Sequence, residues 1–358
     1  MIRLHRAALA AAILTLAGAS SVLAQYQSSN DNYGVSGGNI NDHSNAFCCS
    51  GTLGSLVSAG GTQYVLSNNH VLGRSGAAAA GEDVSQPGLI DNGCQVAEIV
   101  ADFTAAPALG SNVDAAVAAL RAGAMNSTGA IEGIGTISSV VKAAAVGLAV
   151  TKSGRTTGNT TGTISSVNTS VNVQYQQGCN KGKKFTVSYT NQVVIGPGSF
   201  SAGGDSGSLI LSNNSCHQPV ALLYAGSNTT TIGNPIGEVL TKVGTALGSS
   251  VSFVGGTCSA LTEAAGQEWV ADDQLEYATA VKERNVGRLM SDPAVMAVGV
   301  GADSNEPGRA AIVVILEEGR THRPIPSEIE GLSVRVLLSD PIRAYGWNEA
   351  EKPQSCSR

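Results

Sequence analysis

The feature that most limits what this chain can fold into is a succession of short β-rich runs between Gly51 and about Val243, each cut off by Gly, Ser, Asn or Thr. The runs are LGSLVS near Leu53, TQYVLS at Thr62, VAEIVAD at Val96, TGTISSVN at Thr161, KFTVSYTNQVVI at Lys184, SLILS at Ser208 and VALLY at Val220. Segments this short bury their apolar faces by packing sheet on sheet or by closing a barrel, so the pattern predicts a sandwich or barrel. A helical period enters only at the end, where Ile236, Val239, Leu240, Val243 and Leu247 recur at i, i+3, i+4, i+7 and i+11. The expectation for this half is all-β closed by one helix.

Charge divides the chain. The residues up to Cys258 carry 11 basic and 11 acidic side chains; those from Ser259 onward carry 10 and 16, which supplies the whole net charge of -6. Such a break in texture is expected at a domain boundary. Its last part reads as a helix over Leu275 to Met290, then VMAVGVGAD at Val295, AAIVVILEEG at Ala310 and SVRVLL at Ser333. That order predicts a small α/β domain with a mixed or antiparallel sheet, AIVVIL being a central strand covered on both faces. His322 and the many carboxylates here form no spaced ligand set, so they are assigned to solvated surface and no metal is expected. Neither half has a basic stripe that would neutralise phosphates, which excludes nucleic acid as a partner. With 42% hydrophobic residues, 13% charged and non-periodic glycines, collagen and a long coiled coil are excluded as well.

Arg3 and Arg6 precede an apolar run from Ala7 to Leu16, and Val22, Leu23 and Ala24 end in a small residue, so residues 1–24 read as an export signal with the mature chain starting at Gln25. A membrane anchor needs about twenty apolar residues and meets Gly18, Ser20 and Ser21 too early, so no membrane partner is expected. A secreted chain can form disulfides. Seven cysteines are present, and none has the paired spacing of a zinc site. The pairing expected is Cys94 with Cys48 or Cys49, and Cys179 with Cys216, each joining segments of one half. An odd count leaves at least one thiol over.

Three short segments carry chemistry. His70 ends the strand-like run TQYVLSNNH, which puts an imidazole at a strand-to-loop transition, although a single histidine is more often structural. Asp114, in SNVDAAVAAL, stands directly before a small apolar strand that would hold its carboxylate at the edge of a core; capping or turn formation is the other reading. In GGDSGS, Gly203 to Ser208, a glycine-flanked serine on a tight turn can present its Oγ outward, and the glycines let N–H groups converge as an oxyanion hole requires. A lone GDSG is a common turn. The order is what discriminates: His70, Asp114 after 44 residues, Ser206 after 92 more. Histidine, aspartate, serine is the order of the double-barrel serine proteases and not of subtilisins or α/β hydrolases.

VLSNNHV, NVDAAVAAL and GGDSGS resemble the three catalytic segments of the chymotrypsin-fold peptidases, and AVTKSGRTTGNTTGTI, Ala149 to Ile164, resembles a segment of their bacterial streptogrisin and alpha-lytic protease branch. The resemblance spans roughly Cys49 to Gly248. It implies an all-β double barrel, chymotrypsin-like, with a C-terminal helix, followed by the small α/β domain. The division expected is a signal over 1–24, an N-terminal extension over 25–48, a protease domain over 49–258 and an accessory domain over 259–358.

The resemblance further implies that His70 is general base and then general acid, Ser206 the nucleophile, and Asp114 the group that fixes the imidazole tautomer. The N–H groups of Gly204 and Ser206 would form the oxyanion hole. Tyr224, Ala225 and Gly226 match the strand that pairs with the substrate backbone, and Ser201, Tyr224 and Gly226 would border the specificity pocket, where no acid attracts Arg or Lys. Lys152, where the branch usually has Arg, would pair with Asp205 and hold the serine loop. Val71, Thr151, Thr161 and Phe200 stand where half-cystines are usual, Tyr224 replaces a serine that would help hold the carboxylate, and Ser208 replaces a glycine.

The function implied is a secreted serine endopeptidase, extracellular or periplasmic, that acts on polypeptides through an acyl-enzyme and uses no cofactor. A noncatalytic binding protein on a protease fold is the alternative. Self-processing, or contact between the C-terminal domain and the rest of the chain, is a third expectation. The C-terminal domain itself is expected to assist, inhibit or target.

Overall fold

The computed structural model describes residues 31–45, 47–179, 182–258, 270–306 and 308–344. The segment expected to be an export signal, residues 259–269 at the expected domain boundary, and Cys356 lie outside the described residues.

The first seven strands are β1 (Val35–Asn39), β2 (Gly51–Leu53), β3 (Ser55–Ala59), β4 (Thr62–Ser67), β5 (Asp83–Gln86), β6 (Glu98–Ala105) and β7 (Ala116–Leu120), with a one-turn helix, α1 (Asn69–Leu72), after β4. Then come β8 (Ala149–Lys152), β9 (Thr160–Gln176), β10 (Lys184–Gly196), β11 (Leu209–Ser212), β12 (Pro219–Gly226) and β13 (Thr231–Pro235). Helix α2 (Ile236–Leu247) and strand β14 (Val251–Phe253) follow. The last elements are α3 (Asp272–Met290), β15 (Val295–Ala302), β16 (Ala310–Glu317), β17 (Glu328–Ile329), β18 (Leu332–Ser339) and β19 (Arg343–Ala344).

Two sheets result. The first runs β14-β3-β4-β7-β6-β5-β1-β2 and is curled into a half-barrel. In the second, β10-β13-β12-β11-β8-β9 closes into a ring because β9 also pairs with β10. The expected double barrel is thus present, and α2 has the bounds its period predicts. Helix α2 ends at Gly248, whose φ of +68° lets its N–H turn back onto Gly244 and Thr245. Its buried face, Ile236, Val239 and Val243, packs into the core of the first sheet.

The sequence also predicts the helix and the strands of the last hundred residues. Strand β16 lies between β15, antiparallel, and β18, parallel, so the sheet is mixed. Its residues Ala310 to Leu316 are all buried. One face packs with Ala278, Val281 and Leu289 of α3, and Ile315 on the other joins Tyr175, Tyr189 and Tyr224. The composition gave no hint of one feature: this sheet is not free-standing. Strand β15 pairs antiparallel with β9 over Ala297–Val171 to Gly301–Ser166, so the ring and the C-terminal strands are one hydrogen-bonded sheet. Gly299 makes that possible, since a Cβ there would come within 2.2 Å of the Ser166 and Thr169 hydroxyls.

Strand β1, inside the segment read as an N-terminal extension, is hydrogen-bonded between β2 and β5 and wholly buried. Among the described residues the disulfides are Cys48–Cys94, as expected, Cys49–Cys179 and Cys216–Cys258. The expected bond between Cys179 and Cys216 is therefore corrected. At 17 residues, β9 spans roughly 55 Å. That length carries the tip of the β9–β10 hairpin, with Cys179, out to Cys49 beside the first sheet.

Candidate active site

The three sequence-predicted residues fall on three connections between strands, His70 and Asp114 in the first sheet and Ser206 in the second. His70 sits in α1, one helical turn after β4, where the sequence suggested a loop. Asp114 lies two residues before β7, as its apolar continuation implied. Ser206 occupies the turn that enters β11. Val71, next to His70, and the Ser206 carbonyl both border the backbone of Gly51, where a Cβ would meet Val71 at 2.5 Å and that oxygen at 2.9 Å. The histidine and serine segments thus close on one glycine of the first sheet.

The imidazole and the carboxylate meet. His70 Nδ1 is 2.6 Å from Asp114 Oδ2, and the His70 backbone N–H donates to Asp114 Oδ1 at 3.2 Å. Asp114 is fully buried, so it needs further donors. The Tyr175 hydroxyl provides one at 2.9 Å and is itself 2.6 Å from the Tyr189 hydroxyl. Burial, and next the Asp114 charge, push the Tyr175 phenol well above its ordinary value, so it stays a donor. The loop backbone is pinned as well: Asn234 Oδ1 accepts from the Asp114 N–H at 2.9 Å, and Asn68 Nδ2 donates to the Asp114 carbonyl at 2.6 Å. Among the described residues His70 Nε2 is buried with no hydrogen-bond partner. Ser206 Oγ donates to the Tyr224 carbonyl at 3.5 Å.

The serine turn is held by its aspartate. Asp205 accepts from the N–H groups of Thr156, Thr157 and Ala202 at 2.8, 3.1 and 3.0 Å and from the Thr157 hydroxyl at 2.6 Å. Lys152 Nζ stands 3.3 Å from Asp205 Oδ2, both side chains having no exposure, and also donates to the Gly158 carbonyl and the Thr157 hydroxyl. Burial draws the Lys152 ammonium below its usual value while Asp205 pushes it back. Gly204 has φ +96°, and a Cβ there would meet Thr156 Oγ1 at 2.4 Å and Arg155 Nη1 at 2.7 Å, so glycine is required twice over. Among the described residues, no acceptor takes the Gly204 or Ser206 N–H.

Ser201, Tyr224, Ala225 and Gly226 are brought to the same end of the second sheet. Ser201 Oγ bonds Thr231 Oγ1, and Tyr224 to Gly226 end β12. One expectation needs correcting. The glycine-flanked turn was read as able to present Ser206 Oγ outward, yet Ser206 has no exposure and His70 only 7%. The site is covered rather than cleft-like; the cleft of about 440 Å³ between Val141, Asn168, Pro235 and Leu275 contains none of these residues.

Sequence reading missed Tyr175, which lies beyond the run TGTISSVN, and Tyr189, which lies in the run KFTVSYTNQVVI that reads simply as strand. It also missed the buried pair of Arg155 and Asp91, Nε–Oδ2 2.6 Å and Nη2–Oδ1 2.8 Å, though Arg155 stands inside a segment that had been singled out. No group of His, Cys, Asp or Glu among the described residues could hold a metal.

No family model matches the chain, and neither does any curated protein. Solved structures of bacterial chymotrypsin-fold proteases do align with it. A glutamic-acid-specific serine protease described as using a histidine triad in substrate binding is 21% identical, with 62% of this chain and 98% of that one covered and a TM-score of 0.41. Protease A of Thermobifida fusca is 19% identical, with 63% and 99% covered and a TM-score of 0.41. An alpha-lytic protease homolog, N4, is 20% identical, with 56% and 91% covered and a TM-score of 0.35. At such scores the likeness carries no weight for the site, whose chemistry rests on its own side chains.

Proposed function

We propose that the chain is a secreted serine endopeptidase that cleaves polypeptides through an acyl-enzyme on Ser206. The observation that carries this reading is the buried, doubly bonded pair of His70 and Asp114, together with the approach of the His70 segment and of the glycine-flanked Ser206 turn to the same Gly51. Asp114 holds Nδ1 protonated and leaves Nε2 as the basic nitrogen, and Nε2 has no other claim on it. As Ser206 Oγ leaves the Tyr224 carbonyl and attacks a peptide carbon, Nε2 takes its proton and returns it to the departing amine. The Gly204 and Ser206 N–H groups receive the oxyanion; one such donor is worth about 3 kcal/mol of transition-state stabilisation.

Lys152 and Asp205 hold this turn in place, with no ammonium group from a chain end needed. The three disulfides among the described residues and the signal-like pattern of residues 1–24 support an extracellular or periplasmic setting. Among the described residues no helix is long and apolar enough to cross a membrane. The pocket side chains Ser201, Tyr224 and Gly226 carry no charge, which favours uncharged side chains before the cut.

The test is hydrolysis of a mixture of unstructured peptides by the full chain. Cleavage that disappears in Ser206→Ala and in His70→Ala is expected. Cleavage that persists in Ser206→Ala, or a folded chain that binds peptides and cuts none, contradicts the reading.

A further inference from the structure

The acid of the site stands on the first sheet but is held from the second. Strand β10 breaks step with β9 between Tyr189 and Gln192, where Asn191 has φ +58°. Such a bulge leaves main-chain groups without a ladder partner and re-aims the side chains beside it. Both effects serve the loop that carries Asp114. The Thr190 N–H donates to Asn112 Oδ1 at 2.7 Å, and Asn112 Nδ2 donates to the Thr190 carbonyl at 3.0 Å, so a side-chain amide takes the place of a neighbouring strand. Asn112 Nδ2 also donates to Glu238 Oε1 of α2 at 2.7 Å. The backbone of Asn112 has φ +75°, a conformation that asparagine adopts more readily than most residues.

Gln192, at the far side of the bulge, is the inner link. It and Asn234 of β13 have no exposure, and their amides bond to each other and to the loop. Gln192 Nε2 donates to the Thr190 carbonyl at 2.7 Å and to the Asn112 carbonyl at 3.4 Å. Gln192 Oε1 accepts from Asn234 Nδ2 at 2.7 Å, which leaves Asn234 Oδ1 to accept the Asp114 N–H at 2.9 Å. With every polar atom of both amides used, each has one orientation, because turning either over sets donor against donor or acceptor against acceptor.

We propose that Gln192 and Asn234 are positioning residues for the reaction: through the Asp114 N–H they aim its carboxylate at His70 Nδ1, and through β10 and β13 they tie that acid to the sheet that carries Ser206. This rests on the peptidase reading above and deepens it. Tyr175 acts on the carboxylate itself, whereas the amide pair acts on the backbone from which the carboxylate hangs. A loop free to turn at Asp114 would carry Oδ2 off Nδ1, now 2.6 Å away. Misplacing a catalytic group by about 1 Å costs up to about 100-fold in rate.

The experiment compares the full chain with Asn234→Leu, Gln192→Met and the two combined, and with Asn112→Gly, which removes the outer link while leaving its φ accessible. Each folded protein, checked by urea unfolding, is measured for peptide hydrolysis. With isotope-labelled histidine it is also measured for the low-field proton signal of His70 Nδ1–H, assigned by its absence from His70→Ala. That signal reports the short bond to Asp114 whether or not peptides are cut. In Asn234→Leu and Gln192→Met kcat is expected to fall about 10- to 100-fold with KM within about twofold, and the proton signal to move to higher field. The combined variant is expected to lose no more than the worse single one, since both act through one bond to Asp114. Asn112→Gly, in the less buried loop, is expected to lower kcat about threefold with the same sense of shift, and it decides the matter if the buried variants do not fold. Folded variants whose proton signal stays in place overturn the positioning role, whether or not kcat falls, and leave the peptidase reading intact. A full chain that cuts no peptide overturns the peptidase reading, and the proton signal alone then decides positioning: a shift in the variants supports it, and no shift overturns it.

Discussion

A carboxylate without exposure must find its donors in the protein, and Asp114 finds them in His70 and in Tyr175, a residue 61 positions along the chain. Removing the phenol hydroxyl leaves a buried negative charge short of one donor, which costs about 1.5–3 kcal/mol. On the proposed mechanism, Tyr175→Phe should lower kcat about 10- to 100-fold. An unchanged kcat in the folded variant would mark Tyr175 as merely structural. Lys152 poses the complementary case. Its ammonium and Asp205 share a site with no exposure, and taking away one partner of such a pair leaves the other buried and uncompensated. Lys152→Met should destabilise the chain by about 3–5 kcal/mol in urea unfolding. At this scale the sequence was most readable for groups whose chemistry is rare. Histidine, aspartate and a glycine-flanked serine in order stand out, whereas Tyr175 is one more aromatic in a strand, and only the fold reveals what its hydroxyl faces.

Elements were legible when they carried their own period. Strand β4 has the bounds of TQYVLS, and α2 has those of its apolar repeat. Strands β1, β5, β8 and β13 were not read, because VSGGN, DVSQ, AVTK and TIGNP hold one or two apolar residues each and no sustained alternation; partners on both sides make them strands. Strand β19, two residues long, has no sequence signature at all. The disulfides escaped for a related reason, since a long hairpin took Cys179 away from its neighbours in sequence. Closing a loop of 130 residues, Cys49–Cys179 should contribute about 4–5 kcal/mol, which the Cys49→Ser/Cys179→Ser pair would lose in chemical unfolding. After α1, the segment that carries His70 is tied by Arg74 and Glu82, 2.6 Å apart. Partial burial opposes the Glu82 charge, but hydrogen bonds from Arg74, the Ala79 N–H, Asn39 and Asn41 outweigh it and bring the carboxyl down to about 2 from 4.5. Its stabilisation is therefore complete above pH 4.5 and is lost as pH falls toward 2. Glu82→Gln should lower the Tm at neutral pH and flatten the fall in Tm across that interval.

Over the whole molecule, one strand joins all parts. Every residue of β12 is buried, Leu222 in the core of the first sheet, Leu223 inside the ring, and Tyr224 and Ala225 against the C-terminal strands. A strand so placed can move little, which is what a rail beside a nucleophile requires. The jump in charged residues after Cys258 announced a change of texture, but not that the C-terminal strands continue the ring through β15 and return to the serine through β19. The central claim is that His70 makes Ser206 a nucleophile. Peptide mapping of the fluorophosphonate-treated full chain tests it most directly: one adduct, on Ser206, absent from His70→Ala, is the result predicted. An adduct on another residue, or equal labelling of Ser206 without His70, would contradict it.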